Sequence, residues 1–354
     1  MMKHFILAMM LAAWLGGCSK SPQSPDNSQD GASQSREVVL YSSVDDFLLN
    51  EIVDLYRKET GVRLRLVGDT EATKTTGLVQ RIIAERAQPR ADVWWSSEPF
   101  GTIQLDREGL LEPYTSQSAE ASIDGGWPTS LRTESWYGFA PRARVIAYAP
   151  DRVQNIPATP LELVDPQFKG RVGIARPQFG TTRGHMGVLL DHWGEEGLRT
   201  WLVALQVNGV RLYDGNASVI RAIRQGEIDI CMTDTDDVWV GQENGWNIEL
   251  IYEPIGVGQG ALKSTGSVVM PNTIALVRGG PNPDAGRRLI DFLLSPRVER
   301  LMAESASRNI PVHPSLAAEF AELMVPQAPD LDLDQAATLV PQALAICEEV
   351  LIGG

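Results

Sequence analysis

VRLYDGNASVIRAIRQGEIDICMTDTDDVWVG, residues 210–241, reads as strand, Gly turn, amphipathic helix, strand and the start of a second helix. Leu212 and Tyr213 lead into Asp214-Gly215-Asn216, and Val219, Ile220, Ala222 and Ile223 recur at helical spacing until Gly226 stops the helix. Residues 228–232 form a short apolar strand, and Asp234, Asp236 and Asp237 crowd its carboxyl end, where open parallel sheets usually hold ligands. One aspartate there is accounted for as a helix cap, since its carboxylate meets orphan backbone N–H groups. Three point beyond a cap.

The same alternation extends outward. Strands at 38–41, 62–67 and 91–95 are separated by helices through Leu48, Ile52, Leu55 and Tyr56, and through Leu78, Ile82 and Ile83. This predicts a mostly parallel sheet flanked by helices. Its strand-end loops carry Ser43 and Asp45, Asp69 and Glu71, and Ser97 and Glu98, polar groups that gather at one sheet edge. Residues 136–149, WYGFAPRARVIAYA, form a long extended run that serves as a crossover into a second α/β region, with strands at 172–175, 210–213, 228–232 and 248–252. A further extended stretch, 267–277, returns the chain to the first region. The expected fold is α/β with two lobes, 37–140 with 266–313 and 141–265 with 314–354.

The ends of the chain have a different character. Residues 1–17 carry Lys3 and an apolar run, and Leu15-Gly16-Gly17 precedes Cys18; this reads as a signal peptide, excluded from the fold, followed by a lipid-accepting cysteine. Residues 18–36 hold no large apolar side chain after the cysteine and read as a flexible tether. No later stretch reads as long and apolar enough to span a bilayer, so membrane contact is expected through Cys18. Removing residues 1–17 takes away one lysine and no acid, turning a formal charge of −14 into −15. A body this acidic lacks the positive footprint of a nucleic-acid binder. Cys231, in a strand, and Cys347, in a C-terminal helical pattern, read as two separate buried thiols, with a bridge possible in an exported compartment.

Five stretches occur in an order and spacing that resemble bacterial ferric-iron substrate-binding proteins of ABC transporters. They are VVLYSSVDDFLLNEIVDLYRKETG, GDTEATKTTGLVQRIIAE, ADVWWSSEPFGTIQLDREGLLEPY, PRARVIAY and GNASVIRAIRQGEIDICMTDTDD, and the likeness covers 37–313. The resemblance implies a type II periplasmic-binding fold, closure of two lobes on a small ligand, an ABC permease as partner and a monomer on the periplasmic side of a bacterial membrane. It further implies Fe3+ as the ligand, held with a synergistic anion, and no required cofactor. Glu71 matches the family's acidic ligand, and Asp45 stands where many relatives have a ligating histidine. Thr235 and Asp236 replace the two neighbouring tyrosines whose phenolates bind iron in relatives.

The residues themselves offer two subsites. Asp45, Glu71, Asp236 and Asp237 are the candidate metal ligands: closure brings these carboxylates together, and unpaired carboxylates in a closing cleft require a cation. Gly180, Thr181 and Thr182, in the loop 177–182 opening a helix, with Asn216, form the candidate anion cradle. Arg142 and Arg144 alternate on one strand face; Arg142 is assigned to the cleft and Arg144 to a solvated edge. Ser97 and Thr235 complete the candidate ligand contacts. A binder of an organic phosphate, phosphonate or amine remains the alternative. His185 and His192 share a helix face, but no HExxH, GxSxG or Walker pattern surrounds them. A metal-dependent extracellular hydrolase is therefore the weaker reading, and the chain is not expected to be an enzyme.

Overall fold

The computed structural model describes residues 37–70, 73–122, 127–253, 266–325 and 331–353. The leader, Cys18, the tether and Glu71 lie outside these residues. In chain order the elements are β1 (Glu37–Ser42), α1 (Asp46–Thr60), β2 (Arg63–Gly68), α2 (Thr76–Ala84), β3 (Val93–Ser96), α3 (Pro99–Arg107), β4 (Leu111–Glu112), α4 (Gln117–Ser122) and β5 (Trp136–Tyr148). They continue as β6 (Val172–Ala175), α5 (Gly180–Val207), β7 (Arg211–Tyr213), α6 (Asn216–Gln225), β8 (Ile230–Asp234), α7 (Thr235–Glu243), β9 (Glu249–Tyr252) and β10 (Val269–Val277). The last are α8 (Pro283–Leu293), α9 (Pro296–Glu304), α10 (Pro314–Ala317) and α11 (Leu333–Cys347).

The strands follow the order β2-β1-β3-β10-β5-β8-β6-β7, with β4 added on β10 and β9 on β5. Each end of this path is parallel: β1 with β2 and β3, and β6 with β7 and β8. Strands β5 and β10 run antiparallel between the ends. Trp136–Phe139 of β5 pair with Asn272–Ala275 of β10, whereas Arg144–Tyr148 pair with β8 on one side and Val145–Tyr148 with β9 on the other. One long buried strand thus serves two sheets, as the apolar run 136–149 predicts.

The joint between the sheets is marked by backbone strain. Ala140, within β5, has φ +41, a region that costs a residue with a Cβ roughly 1–3 kcal/mol. The Glu299 carboxylate accepts its N–H at 3.0 Å, and Asn272 Nδ2 donates to its carbonyl at 2.7 Å. The β10 register shifts at this point, between Met270 and Asn272.

Two apolar cores flank the joint. Leu40, Leu49, Trp95, Phe139, Ile274 and Leu289 pack in one, and Ile146, Ile174, Met186, Leu202, Met232 and Val340 in the other. Trp94 and Trp95 are wholly buried, so they serve packing. The decisive stretch folds as read: α6 buries Val219, Ile220, Ala222 and Ile223 and ends on Gly226 at φ +74, which glycine adopts without a Cβ penalty. One boundary moves. Strand β8 starts and ends two residues later than the apolar pattern suggests, so Asp234 is its last residue, paired opposite Arg144.

The C-terminal segment corrects the expectation that no later stretch is long and apolar enough to span a bilayer. Leu333–Ile352 qualifies by length and a mean hydropathy of 1.2. Its Ala336, Val340, Ala343 and Ile346 are nevertheless packed into the second core against α5. The helices approach closely at Gly187, where a Cβ would lie 2.7 Å from Val340 Cγ2. Cys231 and Cys347 are both buried free thiols.

Candidate functional site

Strand ends and helix starts from both sheets meet at one cleft. Asp45 and Lys74 stand before α1 and α2, and Ser97 follows β3. Arg142 projects from β5, Gly180 and Thr181 open α5, Asp214 and Asn216 flank the start of α6, and Asp236 and Asp237 open α7. Asn272 of β10, with Ser307 and Asn309 after α9, completes the lining. The enclosed volume is about 40 Å3, room for an ion with a few accompanying atoms, given ~10–15 Å3 for one water.

Asp234 is the electrostatic centre. Its Oδ1 accepts from Arg144 Nη1 at 2.9 Å, and its Oδ2 accepts from Arg142 Nε at 3.0 Å and from Asn216 Nδ2 at 2.8 Å. Burial alone would raise its pKa; Arg144 and then Arg142 outweigh burial and hold it below the usual carboxylate range. Arg144 is wholly buried, which overturns its assignment to a solvated edge. Alternation along β5 does place both arginines on one face, and that face meets Asp234. Arg142 also donates to the Ser97 carbonyl and the Thr181 hydroxyl, and so ties together segments of both sheets.

The acids do not act as helix caps. Asp45 and Asp234 occupy the N-cap positions of α1 and α7, yet neither side chain makes a capping hydrogen bond. Asp45 instead pairs with Lys74 at 2.5 Å. The expectation of unpaired carboxylates is corrected as well, because Arg142, Arg144 and Lys74 already stand among them.

Counter-charge does not reach all the acids equally. Asp234, Asp236 and Asp237 offer carboxylate oxygens within 4.8 Å of one another. Arg142 Nε is 3.4 Å from Asp236, while among the described residues Asp237 accepts only the Thr233 hydroxyl, at 3.0 Å, and has no cation within pairing distance. Burial, offset by Arg142 and reinforced by Asp234 and Asp45, pushes Asp236 up to about 7. Burial and then Asp236 raise Asp237 well above its ordinary value. A bound cation would relieve this repulsion, and the three carboxylates together with Asp45 supply hard oxygen donors for one.

The proposed anion cradle is differently arranged. The Gly180 N–H donates to the Lys74 carbonyl at 3.2 Å, and the Thr182 hydroxyl donates to Asn216 Oδ1 at 3.3 Å. With the Thr181 hydroxyl committed to Arg142, these donors hold the cleft's walls together. Thr235 is directed away from the cleft: its hydroxyl accepts the Ala143 N–H at 3.2 Å. Gly180, Thr181, Asn216, Ser97, Arg142, Asp45, Asp236 and Asp237 all line the cleft, and Thr182 and Thr235 do not. Lys74, Asn272, Ser307 and Asn309 were not anticipated. Lys74 lies in the same strand-end loop as Glu71 and carried a readable signal; Asn309 had none. His185 is buried beside Glu253, with Nε2 at 2.9 Å from Oε1, away from the cleft lining.

Comparison with known proteins agrees with this architecture. The family model for bacterial extracellular solute-binding protein matches residues 38–305. Iron uptake protein A1 of Synechocystis sp. is 28% identical over 298 residues, covering 82% of this chain and 79% of that protein. A putative 2-aminoethylphosphonate-binding periplasmic protein of Salmonella typhi is 24% identical over 255 residues, covering 71% and 70%. Iron-bound HitA of Pseudomonas aeruginosa superposes with a TM-score of 0.73 at 22% identity, covering 89% of this chain and 99% of that one. That likeness establishes the type II periplasmic-binding fold. With three quarters of its length matched in order, the chain belongs to the bacterial extracellular solute-binding protein family.

Proposed function

We propose that this protein captures ferric iron, as a hard cation accompanied by a small anion, and delivers it to an ABC permease without catalysing a reaction. The observation that carries this reading is the grouping of Asp234, Asp236 and Asp237 within 4.8 Å, in a cleft that also holds Arg142 and Lys74. Asp45, Asp236 and Asp237 would hold the cation, with Glu71 a further candidate. Arg142, Lys74 and Asn216 would face the anion. We take the lobes as 37–140 with 266–313 and 141–265 with 314–354, moving about β5 and β10 as cleft closure requires; Leu316, Phe320 and Leu323 nevertheless pack with Ala303 and Ile310 of the first lobe. Names of relatives support the reading: one is an iron uptake protein, another an Fe(3+)-binding periplasmic protein of Serratia marcescens.

A second reading is favoured by the pairing of Lys74 with Asp45 and of Arg142 with Asp236. Cationic and anionic groups placed side by side also suit a zwitterionic aminophosphonate, its ammonium on the acids and its phosphonate on Arg142 and Lys74. Mass spectrometry of the undenatured protein after incubation with ferric ion and phosphate separates the two. Gain of iron plus an anion supports the first reading. Retention of an organic zwitterion alone, with no iron taken up, overturns it.

Two further outcomes follow. Among the described residues no tyrosine lines the cleft. Tyr41, Tyr137 and Tyr213 spend their hydroxyls on Glu85, the Ser116 N–H and Glu227. The ferric complex should therefore lack the strong visible charge-transfer band of tyrosinate ligation. Absorbance titration checks this, and an intense purple or red complex would mean that a phenolate reaches the metal. For the anchor, we place a lipid on Cys18 that holds the protein at the periplasmic face. Cys18→Ser should then leave the membrane fraction or remain unprocessed, since one removed acyl anchor has no apolar substitute in 19–36. Membrane retention of a normally processed variant in a fractionation assay would contradict the anchor.

A further inference from the structure

The corner Ser307-Arg308-Asn309, which follows α9, has features that fold stability alone does not explain. Arg308 has φ +47, an uncommon conformation for a residue with a long side chain. Such strain persists where the surrounding structure enforces it, often beside a ligand. Here it is enforced from both sides. The Asn309 N–H donates to the Met302 carbonyl at 3.2 Å, and the next N–H, of Ile310, donates to the Pro141 carbonyl at 2.8 Å. The corner is thereby fastened to β5 beside Ala140.

The left-handed turn at Arg308 lets Ser307 and Asn309 both face the cleft. They are 4% and 3% exposed. The Ser307 hydroxyl is shared with Ser305 at 3.1 Å, whereas Asn309 Oδ1 has no hydrogen-bond partner among the described residues. A buried amide oxygen left unmatched costs stability that a ligand would restore. Ser307 further lines an outer chamber of about 320 Å3 that opens past Asp45, Asp236 and Asp237, which places the corner on the carboxylate side of the cleft. Arg308 itself reaches across to α7: its guanidinium lies 5.5 Å from the Trp239 ring centre and 3.5 Å from Glu243. This pair is exposed and therefore weak and easily broken, as a contact across an opening cleft must be.

We infer that Ser307–Asn309 is a third ligand-binding segment, in which the Asn309 carboxamide gives a neutral oxygen to the bound cation and Arg308 tethers the corner to α7 when the cleft closes. The inference rests on the cation reading given above and adds a contact that neither the acid cluster nor the helix starts provide. Neutral amide oxygens serve beside carboxylates in the coordination of hard cations.

The test is calorimetric titration of the full mature chain with ferric ion and inorganic phosphate, comparing wild type, Asn309→Ala, Asn309→Asp and Arg308→Gly. Asn309→Ala should weaken binding by about tenfold or more, the loss of one good polar contact. Asn309→Asp keeps an oxygen and should bind as tightly as wild type or more so. Arg308→Gly accepts the positive φ without strain, so it should keep its thermal midpoint while ligand dissociates faster in stopped flow. Equal affinity for Asn309→Ala and wild type would overturn the inference and leave the cation reading standing. Equal weakening by Ala and Asp, which marks an N–H contact, would also overturn it. Failure of wild type to bind any ferric complex would remove both.

Discussion

Asp234→Ala should lose about 3–5 kcal/mol of stability in urea denaturation at pH 7, the usual cost of stripping one partner from a buried charge cluster. Asp234 is 1% exposed, and Arg142 and Arg144 are 5% and 0% exposed. Removing the carboxylate leaves two buried guanidinium groups without their shared counter-ion. The pH dependence follows from the lowered pKa of Asp234. Its contribution is fully present above the unfolded carboxylate value of about 3.9 and is lost as pH falls through the lower folded value. Converting Arg144 to Met in the same chain should recover part of the loss, because one uncompensated charge is then gone. A change under ~1 kcal/mol, typical of exposed pairs, would mean that water reaches the cluster.

Asp236→Asn should have the opposite profile: a fold as stable or more stable, with binding largely abolished. In the folded protein Asp236 titrates at about 7, against about 3.9 when unfolded. Between these values the native state holds the extra proton, so stability falls as pH rises from about 4 to 7, and the penalty is fully present above 7. The neutral amide never incurs it, and at pH 8 the variant should melt above wild type. Binding of a cation needs the ionised carboxylate, so wild-type affinity should rise with pH through about 7 and then level. Losing this one ligand should cost about 2–5 kcal/mol of affinity. Differential scanning calorimetry and binding titrations at pH 6 and 8 check both halves. A variant that binds as wild type does would remove Asp236 from the site.

Much of the fold was legible because it depends on local periodicity. Residues 210–241 gave strand, helix, strand and helix in the right order, since Val219, Ile220, Ala222 and Ile223 mark one helix face and Gly226 ends it. The extended run 136–149 likewise became the strand shared by both sheets. Which residues line the cleft was partly legible, because strand ends of an α/β sheet converge on one edge. How their charges pair was not. Arg142 and Asp234 are 92 positions apart, and their contact depends on β5 lying antiparallel to β8 with Arg144 opposite Asp234. Spacing along the chain carries no record of that register. The acid at the start of α7 looked like a cap for the same reason: the arginines that draw it away come from a distant segment. Asn309 was invisible because only the turn at Arg308 directs it inward.

Calorimetric titration of wild type at pH 7.5 with ferric ion and phosphate, with 2-aminoethylphosphonate and phosphate alone run in parallel, separates iron capture from the alternatives. One saturable site is expected for the ferric mixture, lost in Asp236→Asn, with no comparable heat from either metal-free solute. Tight binding of the aminophosphonate with no response to iron would contradict iron capture.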